Sequence, residues 1–228
     1  GANLQDHLDL YCIAELSGPH SYDRYAKPLW AALAGLQYLV QRKGPVASSL
    51  FETGGFWYAD PDARSPDLQL HLGLGTGSEH GVVAMPQGGI TLNSCYLRPR
   101  SRGSLRLQSS DPAQAPLIDP NYLADPQDRA MSIRGLRLTQ EILSQPALRG
   151  FILAQRLPGP EVRSDADYFD FICQHSKTSH HCAGTCRMGV DSGAVVDPQL
   201  RFNGIDGLRV VNNSIMPTVI SSNTNAAA

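Results

Sequence analysis

The sequence lacks the charge pattern of a nucleic-acid-binding protein and the long apolar run of a membrane-spanning one. Its formal net charge is −2, and its Lys and Arg residues form no stripe, so the attraction that binds a phosphate backbone is missing. No apolar run approaches the roughly 18 residues that span a bilayer, and the N-terminus has no basic segment followed by an apolar one. We therefore expect no nucleic-acid partner and no transmembrane segment.

Cysteines and the common catalytic signatures are scarce as well. Five cysteines at irregular spacing in 228 residues do not form the pattern of a disulfide framework, which favours a reducing compartment, and we expect a cytoplasmic protein. The sequence has no Walker-type phosphate loop, no Gly-x-Ser-x-Gly elbow and no His-Glu-x-x-His helix. Gly73, Gly75 and Gly77 follow a strand pattern, but the third glycine has the wrong spacing for a dinucleotide-binding turn.

What the sequence does have is 42% hydrophobic residues, arranged in both strand and helix patterns. Leucines alternate from Leu68 to Leu74, which predicts a half-buried strand. Further short strands are predicted near residues 10–14, 194–196 and 208–211. The predicted strands at 90–97 and 104–107 are joined by a turn-rich connection suited to an antiparallel pair.

Three helices are predicted between these strands. Apolar residues recur every three or four positions from Pro28 to about Gly44, where Trp30 is expected to pack in the core, and again from Pro126 to about Leu143. The hydroxyl of Ser164 is predicted to cap a third helix over residues 165–174. The combined pattern predicts an α+β fold, in which an antiparallel sheet has helices packed on one face.

The chemistry is concentrated in the stretch from Thr178 to Gly189, which contains adjacent histidines and two cysteines. His180, His181, Cys182 and Cys186 have the donor types of a zinc site, but adjacent residues do not easily converge on one ion. A cysteine beside a histidine also suggests a thiol nucleophile. A third interpretation is a histidine acting as general base, because imidazole can accept a hydroxyl proton near neutral pH. Asn223 or Asn225 would then hold the same hydroxyl, and the residues by themselves leave these alternatives open.

Several longer motifs resemble those of the glucose-methanol-choline (GMC) oxidoreductases, flavoenzymes that oxidise alcohols. The similarity runs nearly from end to end and is carried by Asn3-Leu-Gln-Asp-His-Leu8, Arg98-Pro-Arg-Ser-Arg-Gly103, Ile118-Asp-Pro-Asn-Tyr-Leu123, His181-Cys-Ala-Gly-Thr-Cys-Arg-Met-Gly189 and Ser214-Ile-Met-Pro-Thr-Val-Ile-Ser-Ser-Asn-Thr-Asn225. Two departures stand out. Cys182 replaces the family's proline after the catalytic histidine, and Asn212-Asn213 replaces the usual Asp-Ala.

The resemblance implies a set of site residues and an FAD cofactor. His181, rather than His180, matches the catalytic histidine, and Asn223 matches the second catalytic position. The implied reaction moves the alcohol proton toward His181 while hydride passes to the flavin. Cofactor contacts are implied for Asn3, Asn212, Asn213, Ser222, Asn223 and Thr224. The implied substrate is a small-molecule alcohol, with choline-like alcohols among the candidates, and the implied electron acceptor is oxygen or a quinone or dye.

The resemblance also implies a domain division. Residues 1–20 and 176–228 are expected to belong to an FAD-binding α/β domain, the second of them carrying the catalytic His and Asn, and residues 21–175 to form the substrate-binding domain. The family's N-terminal Gly-x-Gly-x-x-Gly unit is not among these residues, so we expect a C-terminal fragment. The alternatives are that the 228 residues act only as a substrate-binding module without activity or, more remotely, as a zinc or thiol hydrolase.

Overall fold

The computed structural model has an α+β architecture over the residues it describes, which are 1–78, 81–82 and 85–227. Its strands are β1 (Ala2–Leu4), β2 (Leu8–Leu16), β3 (Phe51–Trp57), β4 (Leu68–Gly73), β5 (Gly77–Ser78), β6 (Gly81–Val82), β7 (Gly89–Tyr96), β8 (Gly103–Arg106), β9 (Leu117–Asp119), β10 (Ile152–Leu157) and β11 (Lys177–Thr178). Its helices are α1 (Pro28–Gln41), α2 (Pro126–Ser144), α3 (Pro146–Arg149) and α4 (Asp165–His175). The predicted fold class is confirmed.

The chain forms two compact units, each built from separate stretches of sequence. One consists of Gly1–Leu8, Tyr96–Met131 and Thr178–Ala228, and the other of Asp9–Cys95 and Ser132–Lys177. The first unit brings the N-terminal residues together with the histidine-containing stretch at 178–189. We call it the histidine unit, and the second the sheet unit.

The sheet unit contains a six-stranded sheet, in which β2 is an interior strand. The strand order is β10-β2-β7-β4-β3, with β11 also paired to β2. β2 pairs antiparallel with both β7 and β10, and β3 pairs antiparallel with β4. Every residue of β2 from Asp9 to Leu16 is buried. The sequence pattern predicted only the apolar middle of this strand, because its buried polar residues interrupt the apolar run.

Helix α2 covers one face of this sheet. A Cβ atom added at Gly135 would lie 2.8 Å from Cδ1 of Leu68 in β4, so the glycine permits a close approach of helix and strand. Leu136 and Thr139 on the same helix are fully buried. The predicted helix over 126–143 and its packing on the sheet are therefore confirmed.

Helix α4 begins at the predicted cap. The Ser164 hydroxyl accepts from the Asp167 backbone N–H, and the Asp167 side chain accepts from the Ser164 N–H, which completes a capping box. α4 then packs on α2, where the Tyr168 hydroxyl donates to Gln140 Oε1 at 2.5 Å. The two capping-box hydrogen bonds satisfy backbone donors at the start of α4 that would otherwise have no partner.

Helix α1 has the predicted extent but not the predicted environment. Ala34 is its only buried residue, and Trp30 is 38% exposed with the Arg24 guanidinium 3.9 Å above its ring. The expectation that Trp30 packs in the core was wrong. Helical periodicity indicates where an apolar stripe lies, but it does not indicate whether another element covers that stripe.

The strand pairs predicted late in the chain also differ from the structure. β7 belongs to the six-stranded sheet, whereas β8 pairs with β1 and β9 in a three-stranded sheet, so the two do not form a hairpin. The connection between them is bound instead by the Asp128 carboxylate, which accepts the N–H groups of Arg100 and Ser101 at 2.8 Å. Residues 194–196 and 208–211 contribute only isolated bridges rather than strands.

In the described part of the chain, no helix is long and apolar enough to cross a membrane.

Candidate active site

The candidate site is formed where the N-terminal segment of the histidine unit pairs with the stretch at 178–189. Gln5 and Ala183 exchange two backbone hydrogen bonds of 3.0 and 2.8 Å, and the Ser179 N–H donates to the His7 carbonyl at 2.9 Å. This pairing runs antiparallel. It brings His7 next to His181, although the two residues are 174 positions apart in sequence.

The carboxylate of Asp6 is the centre of this pairing. It is 5% exposed, and its Oδ1 accepts the backbone N–H groups of His7 and His181, both at 2.9 Å. Its Oδ2 accepts the hydroxyl of Tyr122 at 2.5 Å and that of Thr178. Burial and the adjacent Asp6 carboxylate raise the pKa of the Tyr122 phenol well above its usual value, so this hydroxyl stays protonated and donates. Asp6 thereby fixes the backbone at both histidines.

The two histidine side chains contact each other directly. Nδ1 of His7 lies 2.9 Å from Nδ1 of His181, and the rings are nearly perpendicular at 87°. His7 has no exposed surface and His181 is 7% exposed. The other nitrogen of His7, Nε2, lies 3.1 Å from the Leu97 carbonyl oxygen. The neighbouring His180 is exposed and has a left-handed backbone at φ 60°, which directs its side chain differently from that of His181.

A second backbone pairing connects the histidine stretch to residues 213–215. The N–H groups of Gly184, Cys186 and Met188 donate to the carbonyls of Asn213, Ser214 and Ile215 at 3.3, 2.8 and 2.7 Å. Gly184 has φ +90°, and a Cβ atom there would lie 2.4 Å from the Asn3 carbonyl oxygen. Only glycine fits this position without strain. The sharp turn after His181 therefore depends on the glycine of the Ala-Gly-Thr-Cys motif.

Asn3, Asn212 and Asn213, three of the predicted cofactor residues, lie at this second pairing. The Asn3 amide donates to the carbonyls of Gly184 and Pro217 at 3.1 and 3.2 Å. Asn212 is exposed and caps a 3₁₀ turn over Asn213–Ile215, where its Oδ1 accepts the Ser214 N–H at 2.9 Å. The Asn3 side chain also accepts a hydrogen bond from the Arg102 guanidinium at 3.1 Å, so both side-chain amides and a charged group hold the chain here.

The C-terminal segment at residues 221–225 contacts this region through Asn213. Its Nδ2 donates to the Thr224 hydroxyl at 3.0 Å, and Thr224 is 1% exposed. Ser222 is half-buried, whereas Asn223 and Asn225 are exposed. The backbone carbonyl of Asn213 accepts from Gly184, so this residue connects the segment at 221–225 with the histidine stretch.

The cysteines in the stretch are not arranged as a reactive thiol or a metal site. Desolvation and the Asp6 carboxylate raise the pKa of Cys182 to about 11, which disfavours the thiolate that a nucleophile requires. No group of three or more His, Cys, Asp and Glu residues in the described ranges could hold a metal ion. None of the five cysteines is in a disulfide bond.

Sequence reasoning missed Asp6 and His7 as members of the site. Both lie in the Asn-Leu-Gln-Asp-His motif, which indicated the resemblance but not a partner for His181. The available signal was the occurrence of an acid and a base side by side between Leu4 and Leu8. Such a pair is seldom buried without specific partners.

The burial of His7 predicts that acid destabilises the folded chain. Burial, then the neighbouring His181, lower the pKa of His7 from 6.5 to about 4, while the Leu97 carbonyl and the Asp6 carboxylate oppose this shift. Between pH 6.5 and pH 4, His7 is protonated in the unfolded chain but neutral in the folded chain. The free energy of unfolding is therefore highest above pH 6.5 and decreases as the pH falls toward 4. At about 1.4 kcal/mol per pKa unit, this loss is limited to roughly 3 kcal/mol.

Urea unfolding of the chain at pH 7.5 and pH 5, followed by circular dichroism, measures this effect. We expect His7→Asn to show a smaller loss of stability between the two pH values than the unmodified chain. His180→Ala is the matched control, because that histidine is exposed, and it should keep the unmodified loss. An identical loss in His7→Asn and the unmodified chain would contradict the prediction.

The fold and site together define a class: an α+β protein with a buried, hydrogen-bonded histidine pair at a Gly-Thr-Cys turn. The sequence profile of the GMC oxidoreductases matches residues 99–228, more than half of the chain. The chain therefore belongs to the GMC oxidoreductase family.

Individual relatives agree with this assignment. The chain is 40% identical over 229 residues to an alcohol dehydrogenase [acceptor] of Pseudomonas putida, covering 99% of this chain and 41% of the relative. It is also 40% identical over 226 residues to an oxygen-dependent choline dehydrogenase of Pseudomonas aeruginosa strain LESB58, covering 99% of this chain and 40% of the relative. The chain thus spans about two fifths of the length of these relatives.

Two solved structures share the fold over the whole chain. Pyridoxine 4-oxidase from Mesorbium loti superposes with a TM-score of 0.83 at 30% identity, and 41% of its chain is covered. Formate oxidase of Aspergillus oryzae superposes with a TM-score of 0.91 at 22% identity, with 44% of its chain covered. The second similarity supports the fold alone.

Proposed function

We propose that this chain carries the proton-accepting side of an FAD-dependent alcohol oxidoreductase, in which the CH–OH group of an alcohol is oxidised to a carbonyl. The observation that carries the proposal is the buried His181, whose backbone is fixed by Asp6 and whose ring is fixed by His7. A general base must present one nitrogen in a constant direction, and a fixed imidazole meets that requirement.

In this proposal the chain's own residues bind and deprotonate the alcohol. The imidazole of His181 accepts the hydroxyl proton, and the amide of Asn223 hydrogen-bonds the same oxygen. FAD supplies the hydride acceptor for the carbinol hydrogen when it is bound. The alcohol thereby loses one proton and one hydride, and its C–O single bond becomes a carbonyl.

The residues near Asn213 fit a flavin. Asn213 Oδ1 is buried and has no hydrogen-bond partner in the described part of the chain, so it is available to accept from a ring N–H group. We propose Asn212, Asn213, Ser222 and Asn223 as cofactor contacts. The Asn3 side chain bonds Gly184 and Pro217, and the Thr224 hydroxyl bonds Asn213, so we propose that these two residues hold the contacting segments in place.

The substrate and the electron acceptor are narrower proposals. The relatives named for choline and for alcohols support a primary or secondary alcohol, with choline as one candidate. Oxygen and a quinone or dye are the candidate acceptors. We also propose that residues 1–20 and 176–228 belong to the FAD domain and residues 21–175 to the substrate domain of the longer relatives.

Flavin reduction by a panel of alcohols tests the proposal. The product of the complete gene is mixed anaerobically with primary alcohols, secondary alcohols and choline, and the visible absorbance of bound flavin is followed. We expect at least one alcohol to bleach the flavin, with the corresponding ketone or carboxylic acid as an inactive control. Bound flavin that no alcohol bleaches would contradict the alcohol assignment.

For the 228 residues alone we expect little bound flavin, and stoichiometric flavin would overturn that expectation.

A further inference from the structure

The hydrogen bond between the His7 and His181 rings indicates which nitrogen of each ring carries a hydrogen. His7 is completely buried, and both of its ring nitrogens have partners, Nδ1 at 2.9 Å from His181 Nδ1 and Nε2 at 3.1 Å from the Leu97 carbonyl. A hydrogen bond between two Nδ1 atoms requires one ring to donate and the other to accept. The identity of the donor determines which nitrogen of His181 carries its lone pair.

The Leu97 carbonyl decides the tautomer of His7. A carbonyl oxygen only accepts hydrogen bonds, so the hydrogen of this bond is on Nε2 of His7. Burial and the neighbouring His181 lower the pKa of His7 to about 4, so its ring is neutral near pH 7. A neutral imidazole with its hydrogen on Nε2 has a lone pair on Nδ1. His7 is therefore the acceptor in the contact with His181.

His181 must then be the donor through Nδ1. We propose that His7 is a positioning residue that holds His181 in the Nδ1–H tautomer, so that Nε2 of His181 is the nitrogen that accepts the proton. This inference deepens the proposed function and rests on it for its catalytic meaning. The tautomer itself is a property of the chain without cofactor or substrate.

The arrangement allows His181 to change its charge without losing its partner. A proton arriving at Nε2 leaves the Nδ1–H bond to His7 in place, so the ring does not have to turn during proton transfer. His7 differs from a carboxylate in this position, because a neutral partner orients the ring without adding a negative charge next to it. The backbone N–H groups of His7 and His181 both donate to Asp6 Oδ1 at 2.9 Å. This shared acceptor holds the two residues, and with them their rings, in a fixed relative position.

Nitrogen NMR of the 228-residue chain tests the tautomer without any activity measurement. The chain is labelled with ¹⁵N-histidine, and long-range proton–nitrogen correlations are recorded at pH 7.5, with each ring assigned by single substitution. We expect His181 to have a pyrrole-type Nδ1 and a pyridine-type Nε2, and His7 the reverse. The exposed His180 should show averaged nitrogens and serves as the internal control. A pyridine-type Nδ1 on His181 would overturn the proposal.

Two substitutions separate positioning from packing. In His7→Asn the amide oxygen lies near the former Nδ1 and can still accept, so His181 should keep its Nδ1–H tautomer. In His7→Leu no acceptor remains, and the single tautomer should be lost. If His181 keeps its single Nδ1–H tautomer in a folded His7→Leu variant, the inference is refuted. It is also refuted if His181 loses that tautomer in a folded His7→Asn variant. If His7→Leu does not fold, the unmodified chain and His7→Asn still decide the question. An alcohol panel without activity would count against the proposed function only, because these spectra do not depend on it.

Discussion

His181→Ala is expected to slow flavin reduction by alcohol about a hundred- to ten-thousand-fold in the product of the complete gene, the range typical of a lost general base. Without the imidazole, the hydroxyl proton has no fixed acceptor when hydride leaves the carbinol carbon. The measurement is rapid mixing under anaerobic conditions, with the bleaching rate read at saturating alcohol. Flavin content is determined first, so that a loss of cofactor is not mistaken for a loss of rate.

His180→Ala is the matched control for this prediction. It removes the adjacent imidazole, which is exposed and has a left-handed backbone at φ 60°. We expect a rate near that of the unmodified protein. Equal losses in the two variants would refute the assignment of His181, and a larger loss in His180→Ala would reverse it.

Asp6→Ala is expected to cost at least about 3 kcal/mol of the free energy of unfolding, because hydrogen bonds to a charged acceptor are worth roughly 1.5–3 kcal/mol each and are not fully additive. The buried carboxylate accepts from the backbones of His7 and His181 and from the hydroxyls of Tyr122 and Thr178. All four donors lose this acceptor in the variant. Urea unfolding of the chain at pH 7.5 measures the change.

Asp6→Asn distinguishes the loss of an acceptor from the loss of a charge. The amide oxygen can still accept the two backbone N–H groups, and its NH₂ group can donate to the two hydroxyl oxygens after they rotate. We therefore expect a smaller cost, about 1–2 kcal/mol. The exposed Asp206→Ala is the control and should change stability by less than about 0.5 kcal/mol. A cost for Asp6→Ala no larger than that of the control would show that the carboxylate does not stabilise the site.

Local signals in the sequence were sufficient for several elements. The Ser164 cap and its helix, the alternating leucines of β4 and the apolar spacing of α2 all appear where they were predicted. These features depend on residues within four positions of one another, through capping hydrogen bonds or a repeat matched to one face of an element. The GMC motifs identified the family because their residue types and order are specific over nearly the whole chain.

Long-range pairing was not visible in the same patterns. The connection from β7 to β8 has the composition of a hairpin, but Asp128 binds its backbone and the strands join different sheets. The strand-like residues 194–196 and 208–211 contribute only bridges. Trp30 has helical core spacing and is still exposed. In each case a competing contact, or the lack of a covering element, decided the outcome over local propensity.

The same distinction between local sequence signals and long-range contacts applies to the candidate site. The sequence by itself determined the family and the α+β class, because these follow from residue types in a fixed order, and it predicted His181 as the base. Only the tertiary structure decided that Asp6 and His7 belong to the site. Their hydrogen bonds cross more than 170 positions of sequence, from Asp6 to Thr178 and His181 and from His7 to His181. Such contacts form when distant segments pair, and no local pattern encodes which segments will meet.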